Sequence, residues 1–138
     1  MRYAYKTERA GRRVLISFPD CPGCQTEAAP ADVQAMATDA VIGWLEAHLV
    51  RNRVPPGPRR HAKAAGSAAV PANLAAKILL RRARAEAGLS QAELARRAGI
   101  TQPSIANLEN PDHELKLATL ERVLAVLGKR VELASAAA

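Results

Sequence analysis

Aromatic side chains are scarce in this chain: one Phe, one Trp and two Tyr among 138 residues. Pockets that take small ligands draw on aromatics and a few convergent polar groups, so a ligand-sensing domain is disfavoured. Cysteine is equally rare. Cys21 and Cys24 are the only two, and they form a lone Cys-x-x-Cys. A thioredoxin-like site needs that motif at the start of a helix in a strand–helix unit. Here Pro19, Pro22 and Gly23 surround it, which makes a turn. Zinc needs about four ligands, and the other candidates, His48, His61 and His113, are scattered. No metal and no other cofactor is expected. No long apolar run is present and no opening stretch has signal-peptide character. The expected setting is a reduced cytoplasm, with no membrane partner.

Acidic residues are the minority charge, and the formal net charge is +7. A polyanionic partner suits that balance. The excess is spread along the chain: residues 1–60 carry nine basic and six acidic groups, and residues 61–138 carry eleven and seven. Charge therefore singles out neither half. The length allows one domain or two small ones, and the abundance of Ala and Leu points to a largely helical core.

One stretch organises the chain, Ser90 to Glu109. Ser90 with Glu93 three residues on is a capping box. Leu94, Ala95 and Ala98 make a small apolar face, and Gly99 stops the helix by entering the left-handed region. Thr101 caps a second helix, with Pro103 in its first turn where a missing N–H costs nothing. Ile105 and Leu108 face inward. The spacing resembles the helix-turn-helix of phage-repressor-like regulators, with Ala95, Gly99 and Ile105 at the small, turn and apolar positions. That resemblance implies a recognition helix beginning near Gln102. It places Gln102 and Asn107 toward the major groove, Ser104 at its edge, and Gln91 capping its helix against a phosphate. With the helix cap Thr101, these five are the candidate DNA-binding residues. It also implies a structural salt bridge between Arg84 and Glu109.

The other segments fall around this motif. Residues 1–8 and Val14–Phe18 read as strands joined at Ala10-Gly11-Arg12, and Cys24–Glu27 as a short third strand. A helix from Ala31 to about Arg51 carries the apolar stripe Val33, Ala37, Ala40, Val41, Trp44, Leu45 and Leu49. His48 lies on that stripe as a partly buried structural residue. Residues 55–70, with Pro55-Pro56-Gly57-Pro58, read as a linker, within which Ser67–Val70 is a candidate short strand. A helix follows from Pro71 to about Ala87, and another from Thr119 to Leu127. His113 falls in a solvated loop between them. The last alternating stretch, Lys129–Ala134, looks like a strand with no neighbour in its own chain. Its simplest partner is the same strand of a second copy, which makes Val131 and Leu133 dimerisation residues.

The N-terminal half resembles the HicB family of bacterial antitoxins. The resemblance rests on Pro19-Asp20-Cys21-Pro22-Gly23-Cys24, then Thr26, then an Ala-rich helix containing Trp44-Leu45, with a helix-turn-helix at the C-terminal end. It implies an α+β chain. Residues 1–54 would form a partial ribonuclease-H-like domain, a three-stranded antiparallel sheet plus a helix, lacking that fold's catalytic carboxylates. Residues 55–70 would be the linker. Residues 71–138 would form an all-α helix-turn-helix domain with a C-terminal dimerisation strand. The implied partners are a HicA-type mRNA-cleaving toxin protein, operator DNA and a second copy, giving a homodimer or higher even oligomer.

Three function classes then compete. The first is a non-enzymatic antitoxin and autorepressor. The second is a stand-alone regulator with a ligand- or partner-sensing N-terminal domain. The third is a nuclease, which needs clustered carboxylates to hold two metal ions. None of Glu8, Asp20, Glu27, Asp32, Asp39 or Glu46 lies in the central strand Val14–Phe18 that would anchor such a cluster. The expectation is the first class, with no catalytic residue.

Overall fold

The computed structural model describes residues 1–137; Ala138, the end of the expected second domain, lies outside them. The chain divides into two compact units, Met1–Ala76 and Lys77–Ala138.

In the first unit, β1 (Arg2–Ala10), β2 (Arg13–Ser17), β3 (Gln25–Ala28) and β4 (Gly66–Ala69) form one antiparallel sheet in the order β3-β2-β1-β4. Gly11, at φ 61°, makes the tight turn that pairs Ala10 with Arg13. Successive side chains of a strand point to opposite faces, so Val14 and Ile16 are buried while Arg13, Leu15 and Ser17 are exposed. Helix α1 (Val33–Val50) buries Ala37, Val41, Leu45 and Leu49 and packs on β2, β3 and β4. A residue every four positions is one ridge of a helix, and that ridge covers one face of the sheet. Tyr5 and Phe18 meet edge to face in this core, 5.9 Å between ring centres. Trp44 is half-buried, not fully sunk in the stripe; its ring stacks on His48 at 3.8 Å. The His48 Nδ1–H donates to the Trp44 carbonyl at 3.0 Å, so the histidine serves its own helix.

Three expectations need correction. The sheet has four strands, not three, because β4 pairs with β1 from Arg2↔Ala69 to Tyr5↔Gly66. Residues 55–70 are accordingly folded into the first unit instead of forming a free linker. Tyr3 Oη donates to the Pro56 carbonyl at 2.6 Å, and the Arg59 N–H donates to Asp20 Oδ2 at 2.8 Å. The cause is the edge of β1, which leaves backbone groups to satisfy once β2 is paired. Small residues suit the fourth strand because Tyr5 occupies the space beside it: a Cβ on Gly66 would fall 2.6 Å from Tyr5 Cζ. Lastly, residues 129–137 form no strand in the isolated chain, where they have no second backbone to pair with. Val131 is half-buried and Leu133 is 83% exposed.

The Pro-Asp-Cys-Pro-Gly-Cys turn has a buried interior. Cys21 and Cys24 are buried and free. Burial, with the nearby Cys24 and Asp20 adding to it, pushes the Cys21 thiol up to about 12, and burial pushes Cys24 up to about 11. Both are protonated, poor nucleophiles. Burial alone would also raise the Asp20 carboxyl. The Arg59 amide, the His61 side chain and the charges of both outweigh it and hold Asp20 below its ordinary value.

Four helices build the second unit: α2 (Ala72–Glu86, whose first turn belongs to the first unit), α3 (Gln91–Ala98), α4 (Gln102–Glu109) and α5 (Leu117–Val126). Ile78, Leu80, Leu94, Ile105, Leu120 and Val123 fill the core. Lys77 is fully buried beside them. Its Nζ donates to the carbonyls of Asn110, at 2.6 Å, and His113, which pins the loop after α4. A buried ammonium is tolerable only when its donors are spent in this way.

Candidate nucleic-acid interface

Local rules shape the two helices of the interface. Both bonds of the capping box form: Ser90 Oγ accepts from the Glu93 N–H at 3.1 Å, and Glu93 Oε1 accepts from the Ser90 N–H at 3.4 Å. The Ser90 bonds lower the Glu93 carboxyl from its ordinary value. Gly99, at φ 67° and ψ 33°, ends α3 in the left-handed region. Thr101 Oγ1 accepts from the Ser104 N–H at 3.3 Å and bonds Ser104 Oγ at 2.8 Å, so these two hydroxyls are engaged at the start of α4.

A buried carboxylate lies under the pair of helices. Glu109, the last residue of α4, is 3% exposed. Its Oε1 receives Arg81 Nη1 at 3.2 Å and Arg84 Nη2 at 2.9 Å. Arg84 and Glu109, read as a pair from the sequence, thus share their site with Arg81. Arg84 Nη1 also donates to the Leu89 carbonyl at 2.9 Å. Gln91 Nε2 donates to Glu109 Oε2 at 3.0 Å, and Gln102 Nε2 donates to Gln91 Oε1 at 2.8 Å.

The polarity of this relay follows from its origin. An ionised carboxylate only accepts, so Gln91 turns its NH₂ toward Glu109 and its oxygen outward. Gln102 must then give one N–H to that oxygen. The other N–H and the Oε1 of Gln102 stay open on an exposed side chain. A donor and an acceptor side by side match the N7 and N6 of adenine.

Of the remaining candidates, Asn107 is exposed and Ser104 half-buried. They border a cleft of about 330 Å³ shared with Leu108, His113, Glu114, Lys116 and Thr119. Gln91 is half-buried, with one amide N–H given to Glu109 and its oxygen accepting from Gln102. Val131 and Leu133 lie apart from this surface in sequence, in the segment after α5. Leu79, Ala83 and Leu124 line a shallow groove of about 290 Å³ with Lys129 and Arg130 at its border.

Sequence reasoning missed Arg81, the burial of Lys77 and the bond of Gln91 to Glu109. The first had a signal, since Arg81 precedes Arg84 by three positions on one helix face. It also passed over Arg96 and Arg97, exposed cations on α3 of the kind that meet phosphates. Among the described residues, no group of three or more His, Cys, Asp or Glu could hold a metal ion, and no helix is long and apolar enough to cross a membrane.

Comparison with known proteins agrees with this geometry. A helix-turn-helix family matches residues 80–133. Antitoxin HicB 2 of Photorhabdus laumondii is 33% identical over 134 residues, covering 96% of this chain and 95% of its own. Antitoxin HicB of Pseudomonas fluorescens is 31% identical over 141 residues, covering 99% and 94%. Antitoxin HicB of Escherichia coli is 29% identical over 120 residues, covering 86% and 87%.

Proposed function

This chain belongs to the HicB family of antitoxins, and from that premise we propose that it neutralises a HicA-type mRNA-cleaving toxin by direct binding and represses its own operon. The first unit takes the toxin, and the second binds operator DNA as a dimer. No catalysis is involved. The first unit is read as a ribonuclease-H-like remnant used for binding alone.

The observation that carries the operator half of the reading is the Glu109–Gln91–Gln102 relay. It presents an oriented amide at the start of α4, on a surface bordered by exposed cations. The toxin half rests on likeness to relatives named as antitoxins along nearly their whole length. The division of labour follows from economy of surface: one short helical face cannot serve DNA and toxin at once. Local acids such as Glu27, Asp32, Asp39 and Glu46 offer complementarity to a basic toxin, with shape and apolar contact supplying the remainder. The dimer is assigned to Val131 and Leu133, whose segment becomes a strand when a second copy pairs with it.

Co-expression tests the toxin half. The full chain, made with a HicA-type toxin from the adjacent frame, restores growth and co-purifies with it. Growth arrest despite soluble antitoxin, with no co-purification, contradicts the assignment.

A further inference from the structure

The first unit carries a second surface that the toxin reading does not use. A cleft of about 690 Å³ is lined by Arg2, Ala4, Arg59, Arg60, His61 and Ser67, among others. Arg2 and Arg59 are held in place. Arg2 Nε donates to Ser67 Oγ at 2.8 Å and Arg2 Nη2 to the Ser67 carbonyl at 3.1 Å. Asp20 organises the rest: its carboxylate accepts the Arg59 N–H at 2.8 Å and meets His61 Nε2 at 3.0 Å and Arg59 Nε at 3.4 Å. The Asp20 side chain is 2% exposed and that of Arg59 is 81% exposed. The acid is therefore hidden while the guanidinium faces solvent. Arg60 is exposed and bonds to no other described residue. No Asp or Glu occurs from Ala47 to Ala85, a span that gives the first unit Arg51, Arg53 and Lys63 besides Arg59 and Arg60.

We propose that this cleft binds the phosphodiester backbone of duplex DNA. Guanidinium forks fit phosphate oxygens in pairs, and a fixed array of them neutralises a backbone without reading sequence. An acidic peptide is a poorer occupant, because the lining has no large apolar pocket to seat an anchor side chain. A single strand is poorer too, since no Phe, Tyr or Trp lines the cleft to stack its bases. The choice of DNA over other polyanions rests on the operator-binding reading of the second unit.

The test uses the full chain and a duplex of arbitrary sequence. Amide NMR shifts of Arg59, Arg60, His61 and Ser67 move on titration, while shifts along α4 report the operator surface separately. Arg60→Ala, which breaks no internal bond, weakens duplex binding by about 3- to 10-fold at low salt. It also lowers the slope of log K against log salt by about 0.9, the value for one phosphate contact. Arg12→Ala, an equal charge loss in the β1–β2 turn, leaves affinity and slope near those of the parent. The inference is overturned if the two variants behave alike. It is equally overturned if the cleft amides ignore the duplex or answer only to a polyglutamate peptide. Responsive cleft amides beside silent α4 amides keep this inference; the operator reading fails separately if α4 stays silent toward a duplex carrying the operon's own promoter.

Discussion

Gln102 offers a paired donor and acceptor because Gln91 holds one of its N–H groups and Glu109 holds Gln91. In the proposed reading this amide selects adenine. Gln102→Ala should therefore cost about 1–3 kcal/mol of discrimination at one base position, seen as relaxed preference in a gel-shift competition against single-base operator variants; undiminished selectivity would remove Gln102 from the readout. Asp20 is the residue whose effect depends on pH. Its folded pKa is depressed, so its stabilising contribution is complete above the ordinary carboxylate range and is lost as pH falls through the lowered value. Asp20→Asn should destabilise the first unit by about 1–3 kcal/mol at pH 7, because the charge is lost and one of the two oxygens that serve the Arg59 N–H and His61 becomes an NH₂. The gap from the parent should narrow below about pH 4. Thermal melts from pH 7 to pH 3 measure it, and a gap of constant size would show that the Asp20 charge is not what stabilises the turn.

Among the elements, those set by local chemistry were readable from the sequence. Ser90, Glu93, Gly99, Thr101 and Pro103 each act within one turn of their own helix, so α3 and α4 could be bounded without tertiary knowledge. The Val14–Phe18 and Val33–Leu49 patterns likewise declare a half-buried strand and a one-faced helix. Strand β4 has no such signature. Gly66-Ser67-Ala68-Ala69 lacks β-branched residues and alternation, and it is a strand because β1 offers an edge and Tyr5 demands a small neighbour. Gly66→Ala tests that account. The added methyl collides with the Tyr5 ring, which is bonded through Oη to Gln34 Oε1 at 3.0 Å, so a loss of about 1–3 kcal/mol is expected. Denaturant titration followed by Trp44 fluorescence reads it, and an unchanged midpoint would mean that Tyr5 moves aside freely. The burial of Lys77 and the bond of Gln91 to Glu109 escaped notice for a related reason. The partners lie 18 to 36 residues away, and the bonds involve two backbone carbonyls and a side-chain amide that composition cannot flag.

At the scale of the molecule, the chain joins a sheet-and-helix unit to a helix-turn-helix unit, and the proposed function adds a second copy. Leu133 stands exposed in a segment that alternates polar and apolar residues, and in the proposed reading that segment becomes a strand only by pairing with its own likeness. Two copies joined there would present two recognition helices to half-sites about 34 Å apart, or a multiple. Removing residues 129–138 should leave monomers with much weaker operator binding, and light scattering that finds intact dimers would place the interface elsewhere, with the groove between Leu79 and Leu124 the next surface to test.

The central claim is that toxin and operator are served by different units of one HicB chain. The most direct measurement is growth rescue by the full-length double variant Gln102→Ala, Asn107→Ala, made with the partner toxin, beside its operator affinity. Both substitutions lie on an exposed helix face and spare the core. The account predicts full rescue with operator binding reduced at least tenfold. Loss of rescue by soluble, folded variant protein, in step with loss of operator binding, would contradict it.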